Sequence, residues 1–71
     1  MTNTSPTIGK RIRRLRTSRG FTQSQLAQAS QVSERHLIRY ELDKVSPKAD
    51  TVARIVGVFG VSLPAFFADN F

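Results

Sequence analysis

Seventy-one residues (7.9 kDa) suffice for one small domain with one core, because a chain this short buries only about 60% of the surface it exposes when unfolded. The absence of cysteine excludes a disulfide staple and a thiolate-bound metal. No apolar run is long enough for a membrane span or a leader peptide, so the expectation is an unexported, cytoplasmic domain held by helix packing. Eleven Lys plus Arg against five Asp plus Glu give a formal charge of +6 and a sequence pI of about 11.3. That charge fits a polyanionic partner, yet also fits a basic face that is only solvated.

Met1 to Thr7 is polar, contains Ser5 and Pro6 and lacks apolar periodicity, so it is expected to form an arm ahead of the first helix. From Ile8, the residues Ile8, Ile12 and Leu15 recur at i, i+4 and i+7, the stripe of a helix that Gly20 should stop. Lys10, Arg11, Arg13, Arg14, Arg16 and Arg19 fill the rest of that helix without one acid, which suits a phosphate-facing flank or a solvated face. Thr22 followed by Gln25 forms a capping-box pattern and predicts a second helix over about 23–30, with Leu26 and Ala27 inward. Gln23 falls in its first turn, where free amides and the helix dipole favour an anion such as phosphate.

Ser33 is the next N-cap and predicts a third helix over about 34–42. At 100° per residue, Leu37, Tyr40 and Glu41 share one face, whereas Glu34, Arg35, Ile38 and Arg39 share the opposite one. Arg35 and Arg39 lie one turn apart, and an arginine fork matches O6 and N7 of guanine in the major groove; Ile38 beside them suits a thymine methyl. Glu34 could accept from cytosine N4, but an acid in a first turn is also ordinary dipole chemistry. His36, the only histidine, has no second ligand at workable spacing, so it reads as a phosphate or packing residue and no metal is expected.

Lys44 and Lys48 flank a polar loop with Pro47 and are placed for the sugar–phosphate backbone. A fourth helix over about 49–59 follows from Val52, Ile55, Val56 and Phe59, with Gly60 as its stop. Ser62 caps a last short helix with Leu63, Phe66 and Phe67 on its apolar face. Phe66, Phe67 and Phe71 form a cluster that reads either as a dimer interface or as a lid on the chain's own core.

These residues together resemble the Cro and phage-repressor type of helix-turn-helix, the XRE family. The carriers are IGKRIRRLR, Gly20 to Gln23 (GFTQ), Leu26–Ala27, Val32–Ser33, Arg39 to Glu41 (RYE) and Gly60 to Leu63 (GVSL), spread over Ile8 to Phe67. The resemblance implies an all-α, lambda-repressor-like bundle of five helices, residues 8–71 after an arm at 1–7, with the helix-turn-helix itself at about 22–42. It implies that Gln23 binds phosphate, that Ser33, Glu34, Arg35 and Arg39 occupy base-reading or adjacent positions, and that Arg16 pairs with Glu41. Gln31 and Asp43 stand where the family commonly has glycine, which should force both toward positive φ. Ser30 replaces a usual apolar residue.

The expected function is therefore a sequence-specific transcriptional regulator that binds double-stranded DNA as a homodimer on a roughly palindromic operator, associated with the nucleoid through that DNA. Arg11, Arg13, Gln23 and Lys44 would contact phosphates, while Arg35, Arg39 and Ile38, with His36 nearby, would give specificity. Small stand-alone members of this family include phage regulators, restriction–modification controllers and toxin-linked antitoxins, and the controller type suits a bare domain well. A protein-interaction module such as an antitoxin or adaptor is the rival reading, and the basic outer face of the third helix speaks against it. No cofactor, small-molecule ligand or catalytic role is expected, since there is no cysteine nucleophile, no Ser-His-Asp set and no glycine-rich phosphate loop.

Overall fold

Hydroxyl side chains start most of the helices. In the computed structural model, which describes residues 7–71, these are α1 (Ile8–Ser18), α2 (Gln23–Ser30), α3 (Glu34–Glu41), α4 (Ala49–Gly57) and α5 (Leu63–Phe67). Thr7, Thr22, Ser33 and Ser62 each accept a hydrogen bond from the backbone N–H three residues on, satisfying one of the donors a helix start leaves free. At Thr22 the box is complete, because Gln25 Oε1 accepts in return from the Thr22 N–H at 2.9 Å. Thr7, expected in the arm, is the α1 cap, and its hydroxyl also donates to Asp43 Oδ2 at 2.7 Å. The rest of the expected arm lies outside the described residues.

The helix ends share one device. After each helix a residue turns left-handed, and its N–H and the next one bond back to carbonyls of the last turn, the Schellman arrangement. Gly20 (φ 75°) and Gly60 (φ 71°) do this at no steric cost, but Gln31 (φ 59°), Asp43 (φ 59°) and Asp69 (φ 62°) do it as ordinary L-residues. The expectation of positive φ at Gln31 and Asp43 holds, and Asp69 adds a third, unexpected case. Gln31 is exposed, so Gln31→Gly should remove a left-handed penalty of roughly 1–2 kcal/mol against a glycine entropy cost of about 0.5–1 kcal/mol. The expected result is a melting temperature a few degrees higher; a lower one would show that the glutamine side chain stabilises the turn.

Helices α1 to α5 enclose one core of Ile12, Leu15, Leu26, Ala27, Leu37, Val52, Ile55, Val56 and Phe66, all essentially inaccessible. Phe21 and Phe59 close one edge of it ring-edge to face at 4.9 Å. Ser30 is buried without penalty, since its hydroxyl donates to the Leu26 carbonyl at 2.7 Å. α4 ends at Gly57, earlier than the expected 59, and residues 58–60 form its closing turn.

α1 crosses the end of α3 at Gly9, which is buried. A Cβ there would fall inside contact distance of the Tyr40 carbonyl oxygen and 2.6 Å from Asp43 Oδ1. The first obstacle is backbone, which cannot swing aside. Gly9→Ala should therefore destabilise by about 2–3 kcal/mol, the upper range for overpacking, read as a lower denaturant midpoint. An unchanged midpoint would mean that α1 docks elsewhere.

Candidate nucleic-acid interface

The helix-turn-helix is anchored by a buried ion pair. Arg16 of α1 donates through Nε to Glu41 Oε2 at 2.7 Å and through Nη2 to Oε1 at 2.9 Å, with side chains 11% and 2% exposed. Its remaining nitrogen, Nη1, donates to the Phe21 carbonyl at 2.9 Å, so all three guanidinium nitrogens are engaged. Gln23 joins the same carboxylate, its Nε2 donating to Glu41 Oε1 at 3.1 Å. One carboxylate thus fastens α1, the first turn of α2 and the last turn of α3 together.

Over this junction lies a shallow hollow of about 300 Å³ lined by Arg13, Arg16, Gln23, Glu41 and Leu42. The Gln23 amide keeps one N–H, the backbone amides of Gln23 and Ser24 have no intrahelical partner, and Arg13 is exposed at the rim. These donors, with the positive end of α2, suit an anionic group the size of a phosphate.

On α3, Glu34, Arg35 and Arg39 are exposed and Ile38 is half-buried, so this isoleucine offers one edge outward. Neither arginine has an ion-pair or hydrogen-bond partner among the described residues, and both are free to meet a ligand. Leu42 follows Ile38 one turn on and is 60% exposed, an outward apolar residue that the sequence reading had only as the helix end. Ser33 and His36 are exposed but tied to each other, with Ser33 Oγ 2.7 Å from His36 Nδ1 and the imidazole stacked near-parallel to Tyr40. Lys44 and Lys48 are exposed in the loop that follows.

Two expectations need correcting. Arg11 and Arg13 are about 160° apart around α1, and only Arg13 lies on the hollow's side. Arg11 turns the other way, its side chain 15% exposed and its Nε 3.8 Å from Asp69 Oδ1; Arg14 pairs with that same oxygen and lies over the Phe71 ring at 4.9 Å. The basic flank of α1 is thus partly neutralised by acids from distant parts of the chain, and Arg11 faces away from the hollow. Phe66, in turn, is fully buried and stacked by Phe71 at 5.7 Å, which takes it out of any intermolecular interface. Of the three phenylalanines, Phe67 is the exposed one, at 44%.

A capped helix pair, a left-handed turn at Gln31, and a polar, basic outer face on the second helix define the helix-turn-helix type of nucleic-acid-binding domain. The helix-turn-helix family profile matches residues 12–66, and the chain belongs to that family, in its Cro and phage-repressor (XRE) branch. It is 34% identical over 61 residues to the HTH-type transcriptional regulator PuuR of Escherichia coli, covering 86% of this chain and 33% of that protein. With the immunity repressor protein of Bacillus phage phi105 it shares 32% over 64 residues (90% and 44%). With the HTH-type transcriptional regulator RamB of Mycobacterium tuberculosis it shares 41% over 63 residues (89% and 13%). The chain therefore spans less than half the length of these relatives, whose names are those of regulators and a repressor rather than enzymes. No solved structure matches it significantly.

Proposed function

We propose that this chain is a DNA-binding transcriptional regulator that places α3 in the major groove and binds a roughly palindromic operator as a homodimer. The observation that carries the reading is the pair Arg35 and Arg39, exposed, one turn apart and without partners among the described residues, on a helix whose other face is fixed by Leu37 and Glu41. Ile38 supplies an apolar edge between them for a thymine methyl, and Glu34, Ser33 and His36 stand at the helix start that enters the groove first. Gln23, Arg13 and Lys44 hold the phosphates on either side. Phe67 on α5, with the exposed edge of Phe71 beyond the helix, is the apolar surface through which two copies would meet, and two half-sites would then lie about 34 Å apart.

The division of labour on α1 gives a sharp test. Arg13→Ala should lower the slope of log affinity against log salt by about one per bound chain, and Arg11→Ala should leave that slope in place. Equal effects from both would contradict the assignment. The stoichiometry, measured by sedimentation of the complex, should be two chains per selected duplex; one chain per duplex would overturn the dimer.

A further inference from the structure

We propose that His36 sets the direction of the Ser33 hydroxyl at the start of α3, so that protonating this histidine turns the hydroxyl outward and tightens DNA binding. The inference rests on the proposed function, since it concerns what Ser33 presents to DNA. Two bonds to one oxygen carry it. The His36 backbone N–H, which can only donate, gives its hydrogen to Ser33 Oγ at 3.1 Å, and His36 Nδ1 stands 2.7 Å from that same oxygen.

A hydroxyl has one hydrogen and two acceptor lone pairs. With the neutral imidazole carrying its hydrogen on Nε2, the Ser33 hydrogen is spent on Nδ1 and the oxygen faces outward as an acceptor only. DNA then meets a lone pair where its own phosphates and base edges are rich in acceptors. When a proton from solvent adds to Nδ1, the bond reverses: Nδ1–H donates, Oγ accepts twice, and the hydroxyl hydrogen is released toward an acceptor in front of the helix. Only the hydroxyl rotor has to turn, because the ring stays stacked on Tyr40, 6.3 Å between centroids at 19°. Both residues are exposed, so solvent protons and DNA can reach them.

The charged groups nearest the ring on α3 are Glu34, Arg35 and Arg39, with Tyr40 beneath the imidazole; α2 has no charged residue. α1 meets α3 at Tyr40 and Glu41, where Arg16 is committed to Glu41, and Lys44 lies beyond the far end of the helix. Charged groups on α3 and on the elements against it also include Asp43, next to the Tyr40 carbonyl at Gly9, and Arg13, which lines the hollow with Glu41 and Leu42. A proton held at Nδ1 and DNA bound at Ser33 are thereby linked, each strengthening the other.

Two measurements decide it. Long-range proton–nitrogen NMR of the free chain at high pH should show His36 with hydrogen on Nε2 and a hydrogen-bonded, unprotonated Nδ1; hydrogen on Nδ1 would overturn the proposal. Affinity for the duplex selected from a random pool should then rise as the pH is lowered, by up to about tenfold per unit for one proton per chain. His36→Gln should abolish that rise. Ser33→Gly, which keeps most of the cap, should cut it to less than half. A Ser33→Gly chain with the full rise would mean that the imidazolium acts only as a charge, and a wild-type chain with no rise would mean no linkage; either result rejects the proposal. Failure to select any duplex would instead count against the proposed function, while the NMR result would still decide the Ser33–His36 pairing.

Discussion

Replacing Arg35 and Arg39 together by alanine should abolish sequence preference in duplex binding while leaving the fold intact. Each well-placed arginine fork in the major groove supplies roughly 1–3 kcal/mol of discrimination, so each single variant should lose about 5- to 150-fold in preference for the selected site. Both side chains are exposed and unpaired among the described residues, so the double variant should unfold within about 0.5 kcal/mol of the parent. Competition binding against unrelated duplex, next to a thermal melt, separates the two effects. Lost preference with an unchanged melt is the expected result; retained preference would move base reading off this face of α3.

The largest loss of stability should come from Glu41→Ala. That change leaves the Arg16 guanidinium buried with two of its three nitrogens unpaired and releases Gln23 from its side-chain bond to the carboxylate. Breaking a buried pair by removing one partner costs about 3–5 kcal/mol, because the remaining charge keeps its desolvation penalty. In a chain of this size that is a fall of more than about 10 °C in melting temperature. Arg16→Met combined with Glu41→Leu should recover at least half of the loss, since it removes both charges and keeps the volume. A Glu41→Ala chain melting with the parent would show that the pair stabilises nothing. DNA affinity separates the two roles of the carboxylate: the double variant folds yet leaves Gln23 untethered, and should bind phosphate-dominated, nonspecific duplex more weakly.

Much of this arrangement was legible in the sequence where the physics is local. Thr22 with Gln25, Ser33, Ser62, Gly20 and Gly60 mark helix ends through bonds spanning only a few residues, and the inward and outward faces of α3 follow from its periodicity. The pairing of Arg16 with Glu41 is not local; it came from the family resemblance, together with the inward placement of an acid at position 41. What stayed hidden depends on contacts between distant elements. Gly9 looks like an indifferent helix residue until α3 is seen crossing it. Arg11 and Arg13 look equivalent until Asp69, 58 and 56 positions further on, chooses one of them. Asp69 itself gave no signal, because nothing in its neighbourhood says that α5 will end on a non-glycine left-handed residue. Phe66 and Phe67 are adjacent in sequence and differ completely in burial, which the length of α5 and its seat on α4 decide.

The central claim is that the outer face of α3 reads a defined sequence, twice, through a two-fold dimer. Enrichment of bound duplexes from a random pool, at near-physiological salt to suppress nonspecific phosphate binding, tests it most directly. The result expected is a palindromic motif with guanines opposite Arg35 and Arg39 and half-sites about one helical turn, 34 Å, apart. A pool that yields no motif, with binding that only fades as salt rises, would contradict it.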